Sequence, residues 1–566
     1  MLERRELMRL GAFACTLLTT LTLSAGALEA QRVRGVGDDA TIPARGAVRV
    51  QFSTSITDFS HRYGQGTTGR ADGALEPLGI DFSVDTLGAT QFPGLASVQS
   101  ALRALTGNSA FTLNLGRTSL IGQVRVQTTP IQLEAGLTRW LSLGVMVPIV
   151  SARNQVQFNI NPGDKGGNVG FNPGRVTDAA AAANALLVTQ VNTARTQLAA
   201  LVTSCTGNPG SNAQCASILA NAPAINASAA AFATDLAKVY GTTLNTGSPF
   251  VPIAGTAADS AIRNRVTTFR TQFAQYGVTA IAATTLGPSR ATTVVTPDRL
   301  QRVIQDSTLG LLAAPLGTVT RQGIGDIEVA AKVRLFDSFG MRSDTLRFKP
   351  DGMHLRQSIA GVYRFATGKI DLPGNYLDFG TGQGTAAVEV RSFTDVVFGR
   401  HFFASLIARY TVPFADQQLR RITDTPNQVF APAYRERLVN RNLGDQLQIE
   451  VTPRWILTDF FAVGAQYMFR NKAEDTFSGT FTVPPSASGL ATPVTLDAST
   501  LRYETAATEH RVGIGLTFSS VAAYARHKAS LPIEVQYFNS RTIAGSGGAV
   551  PKLSIHQLQI RLYPRN

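Results

Sequence analysis

The sequence predicts an all-β fold: a transmembrane antiparallel β-barrel of about 12 strands that carries an inserted α-helical extracellular subdomain. Three observations carry this expectation. Apolar and polar residues alternate at period two in many separate stretches of the 566-residue chain. An N-terminal export segment is followed by no run of eighteen apolar residues of the kind a membrane helix needs. Charged residues make up 16% of the chain against about 25% in ordinary domains, while Gly is abundant at 51 and Trp scarce at 2. In lipid every backbone group must find a partner within the protein, so an exported chain without membrane helices spans by closing a sheet on itself.

The elements follow in order. Residues 1–30 read as a signal peptide: Arg4, Arg5 and Arg9 precede an apolar stretch from Leu10 to about Leu23, and small residues allow cleavage after Ala27 or Ala30. Residues 45–160 predict barrel strands 1–3 with a long first loop. Val48, Val50, Phe52, Thr54 and Ile56 alternate with Arg49, Gln51, Ser53 and Ser55. PIQLEAGLTRWLSLGVMVPIV at 130–150 writes a hairpin around Arg139, with the phase expected to slip by one near Pro130 and again beyond Ile149. A short helix is expected near Leu95 to Leu105 in the first loop.

Residues 161–322 depart from the rhythm. An Ala-rich stretch places Leu187, Val191, Ala194, Leu198 and Leu201 at helical spacing, and further stripes run through Phe232, Leu236 and Val239 and through Ile262, Val266, Phe269 and Phe273. They predict a helical insertion, either an extracellular loop or a plug. Cys205 and Cys215 are the only cysteines beyond the signal, and in an exported chain they are expected to form a disulfide. No metal site is expected, because the six histidines are scattered.

Residues 323–566 carry the remaining strands, which begin at about Ile327, Ile359, Ala386, Phe402, Leu447, Phe461, Val512, Ile533 and Leu558. Connections after the second, sixth and eighth strands are short. Those after the first, third, seventh and ninth are long, as in barrels with short periplasmic turns and long extracellular loops. Trp140, Phe402, Tyr410, Trp455, Tyr467, Phe469 and Tyr563 stand at strand ends, where a bilayer boundary favours aromatics.

If the apolar phase faces lipid, the other phase lines a pore. It offers Arg49, Arg125, Glu134, Glu328, Lys332, Arg334, Glu389, Arg391, Arg409 and Arg511. The excess of arginine favours anionic solutes. The competing reading is that Arg and Glu pair across strands and merely fill the barrel. No catalytic constellation, cofactor motif or nucleic-acid signature stands out. GTGQGTA at 380–386 lacks the lysine of a phosphate-binding loop and precedes a strand. The net charge of +14 is expected to meet outer-membrane lipid and lipopolysaccharide, or the solute itself.

Four stretches also resemble a known family. The 130–150 hairpin, GIGDIEVAAKVRLF at 323–336, AGVYRFATGKIDLP and DFGTGQGTAAVEVRSF are similar to the outer-membrane transporters of the MetA pathway of phenol degradation, distantly like fatty-acid and toluene outer-membrane transporters. The resemblance implies passive uptake of small, often aromatic or hydrophobic compounds across the bacterial outer membrane. It implies no enzyme and no catalytic residues. Two alternatives stay open: a membrane-anchored surface binding protein that uses the helical insertion, and a barrel hydrolase.

Overall fold

The computed structural model describes residues 39–563, except 65–70, 164–165, 308, 339–351, 400, 427, 459, 489–491 and 526–527. The signal peptide expected over residues 1–30 lies outside the described residues. Twelve strands hydrogen-bond in chain order: β1 (Val48–Phe59), β2 (Thr118–Gly136), β3 (Leu141–Ile160), β4 (Glu328–Asp337), β5 (Met353–Arg364), β6 (Ala387–Phe398), β7 (Phe402–Pro413), β8 (Gln446–Ile456), β9 (Phe461–Lys472), β10 (Ala507–Ser519), β11 (Ile533–Ser546) and β12 (Ser554–Leu562). Every neighbour pair is antiparallel, and β12 pairs back onto β1 from Val50↔Leu562 to Asp58↔Ser554, so the sheet closes without a free edge. A short strand, Val319–Ile324, continues the ladder along β3 just before β4.

Even-to-odd connections gather at one end of the cylinder, and three of them are tight turns at 137–140, 399–401 and 457–460. The other end carries the connections 60–117, 161–327, 365–386, 414–445, 473–506 and 547–553. Outward faces are apolar along the middle of the barrel, with Phe52, Leu133, Leu143, Val390, Leu406, Ile514 and Leu516 exposed. Aromatics ring this band. Trp140, Phe402, Trp455 and Phe461 stand at the turn end, with Tyr363, Tyr410 and Tyr467 towards the loop end. Phe402 and Tyr410 share one face of β7 eight residues apart, about 26 Å along the strand at roughly 3.3 Å per residue, which suits a tilted strand in a hydrocarbon layer of about 25–30 Å. Tyr563 departs from the expected girdle, because it follows outward Leu562 and falls in the inward phase of Arg561.

The expected phase slips do not occur. β2 and β3 hold one register from Thr118↔Ile160 to Gly136↔Ser142. What changes is the environment. Val124, Val126, Val150 and Ala152 point into the barrel and pack with Phe59, Leu78, Phe379 and Leu553, whereas Gln123, Arg125, Gln127, Arg153 and Gln155 face outward. These long strands rise beyond the hydrocarbon layer, where polar surroundings lie outside and packed loops lie inside, so the polarity code inverts without a bulge.

At the loop end sits a cap. Helices α1 (Ala96–Thr106), α2 (Asp178–Gly207), α3 (Cys215–Tyr240), α4 (Ala257–Ala274) and α5 (Pro297–Gln305) pack their stripes into one hydrophobic core. Leu102, Leu187, Leu198, Phe232, Leu236, Phe273 and Leu300 are all buried there. Tyr376, Leu377 and Phe430 join the same core from two other loops, which binds the cap to the barrel mouth. Among the described residues, α3 alone is long and apolar enough to cross a membrane by composition, but its Ile218, Phe232 and Leu236 are committed to the cap. A Cys205–Cys215 disulfide joins the end of α2 to the start of α3.

Candidate functional site: the barrel lumen

Nine of the ten side chains expected to line the lumen face inward, namely Arg49, Glu134, Glu328, Lys332, Arg334, Glu389, Arg391, Arg409 and Arg511. Arg125 does not. It is 65% exposed on the outer face and pairs with Asp58 at 2.7 Å, because β2 keeps its phase through Pro130. The inward arginines meet more acid than expected. Arg125 leaves the lumen, whereas Arg356, Arg454 and Lys472 enter it together with Asp337, Asp395 and Glu509.

The inward charges form clusters. Arg391 meets Glu328 at 2.6 Å and also binds Glu389, while Arg364 meets the same two carboxylates at 2.7 and 3.3 Å. Thr411 Oγ1 donates to Glu389 at 2.7 Å. Arg49 binds Glu134, which also accepts from Ser142 Oγ at 2.6 Å. Across the barrel, Glu509 holds Arg511 at 2.6 Å and Arg470 at 2.9 Å. Arg334 and Arg356 share Asp337 at 3.5 and 3.2 Å. The register supplies this geometry, since Glu389, Arg391 and Arg409 stand on neighbouring strands with Arg391 directly opposite Arg409. Pairing of this kind keeps buried charge tolerable, because an isolated ion out of water is costly.

Two chain segments enter the lumen, one from each end. From the turn end, residues 39–47 thread inward. Lys332 Nζ donates to the carbonyls of Asp39 and Thr41 at 2.6 and 2.9 Å, Ser358 Oγ donates to Ala40 O at 2.5 Å, and Ala40 N donates to Asp395 at 2.8 Å. Asp39 faces Arg561 of β12 at 3.6 Å, so this segment bridges β12 to β4, β5 and β6. Ala40 packs with Ala360, Phe393 and Ile407. Gly136 admits the passing strand, since a Cβ there would overlap the carbonyls of Pro43 and Ala44. Residues 39–47 show no periodic pattern that a sequence reading could detect.

From the loop end, residues 365–386 fold inward, and the family-like motifs meet there. Asp326 of GIGD accepts from Gly368 N at 2.9 Å and Gln383 N at 2.7 Å. Thr367 Oγ1 donates to Gly325 O at 2.8 Å and accepts from Ile327 N at 2.9 Å. Thr381 Oγ1 accepts from Lys369 N and donates to Ile324 O, each at 2.9 Å. Asp378 binds Arg321 at 2.5 and 2.7 Å and accepts from Leu372 N at 2.9 Å. A side chain at Gly382 would collide with the Asp326 carboxylate. The glycines of GTGQGT thus serve close backbone approach around a carboxylate rather than a phosphate cradle. Burial pushes the Asp371 carboxyl up from its ordinary value against the pull of Arg420.

Between the two segments lie two adjoining cavities that share Met146, Glu328, Arg391 and Arg409 in their walls. They measure about 50 and 70 Å³. Each has room for a handful of waters and is under half of the roughly 150 Å³ known to admit benzene. At these two places the lumen is narrow.

No protein-family model matches the chain, and no curated protein matches it. Solved structures share its shape loosely. An outer membrane channel from Pseudomonas putida F1 is 8% identical over 94% of this chain and 100% of its own, with a TM-score of 0.38. The transport unit of the autotransporter AIDA-I from Escherichia coli is 6% identical over 96% and 97%, with a TM-score of 0.29. A Pseudomonas aeruginosa FadL homologue is 8% identical over 97% and 99%, with a TM-score of 0.27. At these values the likeness adds nothing to what the closed strand ladder already shows.

Proposed function

We propose that this chain is an outer-membrane channel for passive uptake of small compounds, constricted at rest by residues 39–47 from one end and by residues 365–386 from the other. The observation that carries the reading is the closed twelve-strand cylinder, apolar outside between two aromatic girdles and polar inside. About eight strands make a barrel that side chains alone fill, so a twelve-strand cylinder encloses more room than an anchor needs. The long connections then face the exterior and the tight turns face the periplasm. The solute class implied by the resemblance is small and aromatic or hydrophobic. The paired lumen charges favour weak ion preference over the strong anion selectivity expected from the arginines alone, because each cluster already holds its own counter-ions.

Liposome swelling tests this. Vesicles carrying the folded protein should swell faster than empty ones in a small neutral sugar and in benzoate at comparable rates. No rate above that of empty vesicles overturns the proposal.

A further inference from the structure

The lipid-facing wall is uneven in charge. Among the described residues, no arginine or lysine lies on the outward face of β4 through β10, whereas Arg541 on β11, Arg125 on β2 and Arg153 on β3 all point outward. The register sets them in one row across five neighbouring strands: Arg541↔Ser554, Ser554↔Asp58, Asp58↔Arg125, Arg125↔Arg153. Two residues closer to the turn end, the next row reads Asn539, His556, Ile56, Gln127 and Ser151. The row below that brings Tyr537, Leu558 and Ile149, where the apolar band begins. The arginines thus stand four residues beyond the band, about 13 Å along the strands at roughly 3.3 Å per residue and less in height because barrel strands tilt. Because the strands tilt by about 40°, the row itself climbs by roughly 12 Å from β11 to β3, so its arginines span the headgroup layer rather than a single depth.

The row is poorly balanced from within. Arg125 and Arg153 are directly opposite one another, an arrangement that costs a sheet stability when no anion intervenes. Asp58 is the one acid in the row and is engaged by Arg125 at 2.7 Å. Neither Arg153 nor Arg541 makes an ion pair among the described residues. Guanidinium forks at this height match phosphate oxygens, which bind arginine through paired hydrogen bonds.

We infer that the outward arginine row on β11, β2 and β3 is a binding surface for the phosphorylated headgroup of an outer-leaflet glycolipid. The inference rests on the outer-membrane assignment and adds to it a side of the barrel and the residues that hold the lipid. His556, hydrogen-bonded to Tyr537 at 2.9 Å, sits one row below as a further polar contact at the boundary.

Native mass spectrometry of the detergent-purified full chain tests it, with phosphorylated and dephosphorylated lipid A as probes. The variant Arg153→Gln/Arg541→Gln spares the Arg125–Asp58 pair, and Asn471→Glu/Thr476→Glu changes net charge equally on β9 and the connection that follows it, away from the row. Folding of each is read from the heat-modifiable gel shift of an intact barrel. Wild type and the glutamate variant are expected to retain phosphorylated lipid A at least tenfold better than the dephosphorylated form, with the arginine variant losing that preference. Undiminished preference in the arginine variant, no preference in wild type, or an equal loss in the glutamate variant each overturns the inference. Liposome swelling by the same preparations reads the channel assignment separately, so failure of one is distinguishable from failure of the other.

Discussion

Single side chains in this barrel act mainly through their partners. Arg391 bridges Glu328 and Glu389, and its removal leaves two carboxylates with Arg364 between them. Arg391→Ala is therefore expected to cost about 3–5 kcal/mol, the usual penalty for stripping one member from a buried charge cluster, read as a lower urea midpoint for unfolding from lipid. Arg125→Ala, on the outer face, is expected to change that midpoint by less than about 1 kcal/mol. Asp326 has a different task, since it anchors the backbone of residues 368 and 383. Asp326→Ala should release the inward loop and raise swelling rates several-fold with the barrel intact. An unchanged rate would show that this loop does not limit passage. The roles of Arg391 and Arg409 as inward residues were readable from alternation, but their pairing was not, because which strands become neighbours at which register is decided by the turns.

At the level of elements, strands and helices were readable for the same reason: each has a period of its own, two for β1–β12 and 3.6 for α1–α5. β2 and β3 mark where that logic fails. Apolar alternation names a face, but says nothing about whether lipid or a packed interior lies against it, and above the membrane the two exchange places. Val124 and Val126 are buried for the same physical reason that Leu133 is exposed. The disulfide between α2 and α3 closes a short loop and constrains only the cap. Cys205→Ser/Cys215→Ser should speed proteolysis within residues 178–240 and leave swelling rates as in wild type. A changed rate would mean that the cap itself gates the path.

The whole molecule is a cylinder with a guest at each end. The loop-end guest had a sequence signature, GIGD, ATG and GTGQGT, legible as turn chemistry although nothing in a linear string shows that the three stretches surround one carboxylate. The turn-end guest had none, since Asp39 to Ala47 are short, aperiodic and held by backbone carbonyls that any sequence presents. Together they account for cavities too small for an aromatic ring inside a barrel of twelve strands. The measurement that tests this most directly is single-channel conductance in a planar lipid bilayer, comparing the mature chain with one that begins at residue 47. A small current, enough to drive slow swelling, is expected from the mature chain, and a stable open level several-fold higher once residues 39–46 are gone. Equal conductance in the two, or silence in both, would contradict it.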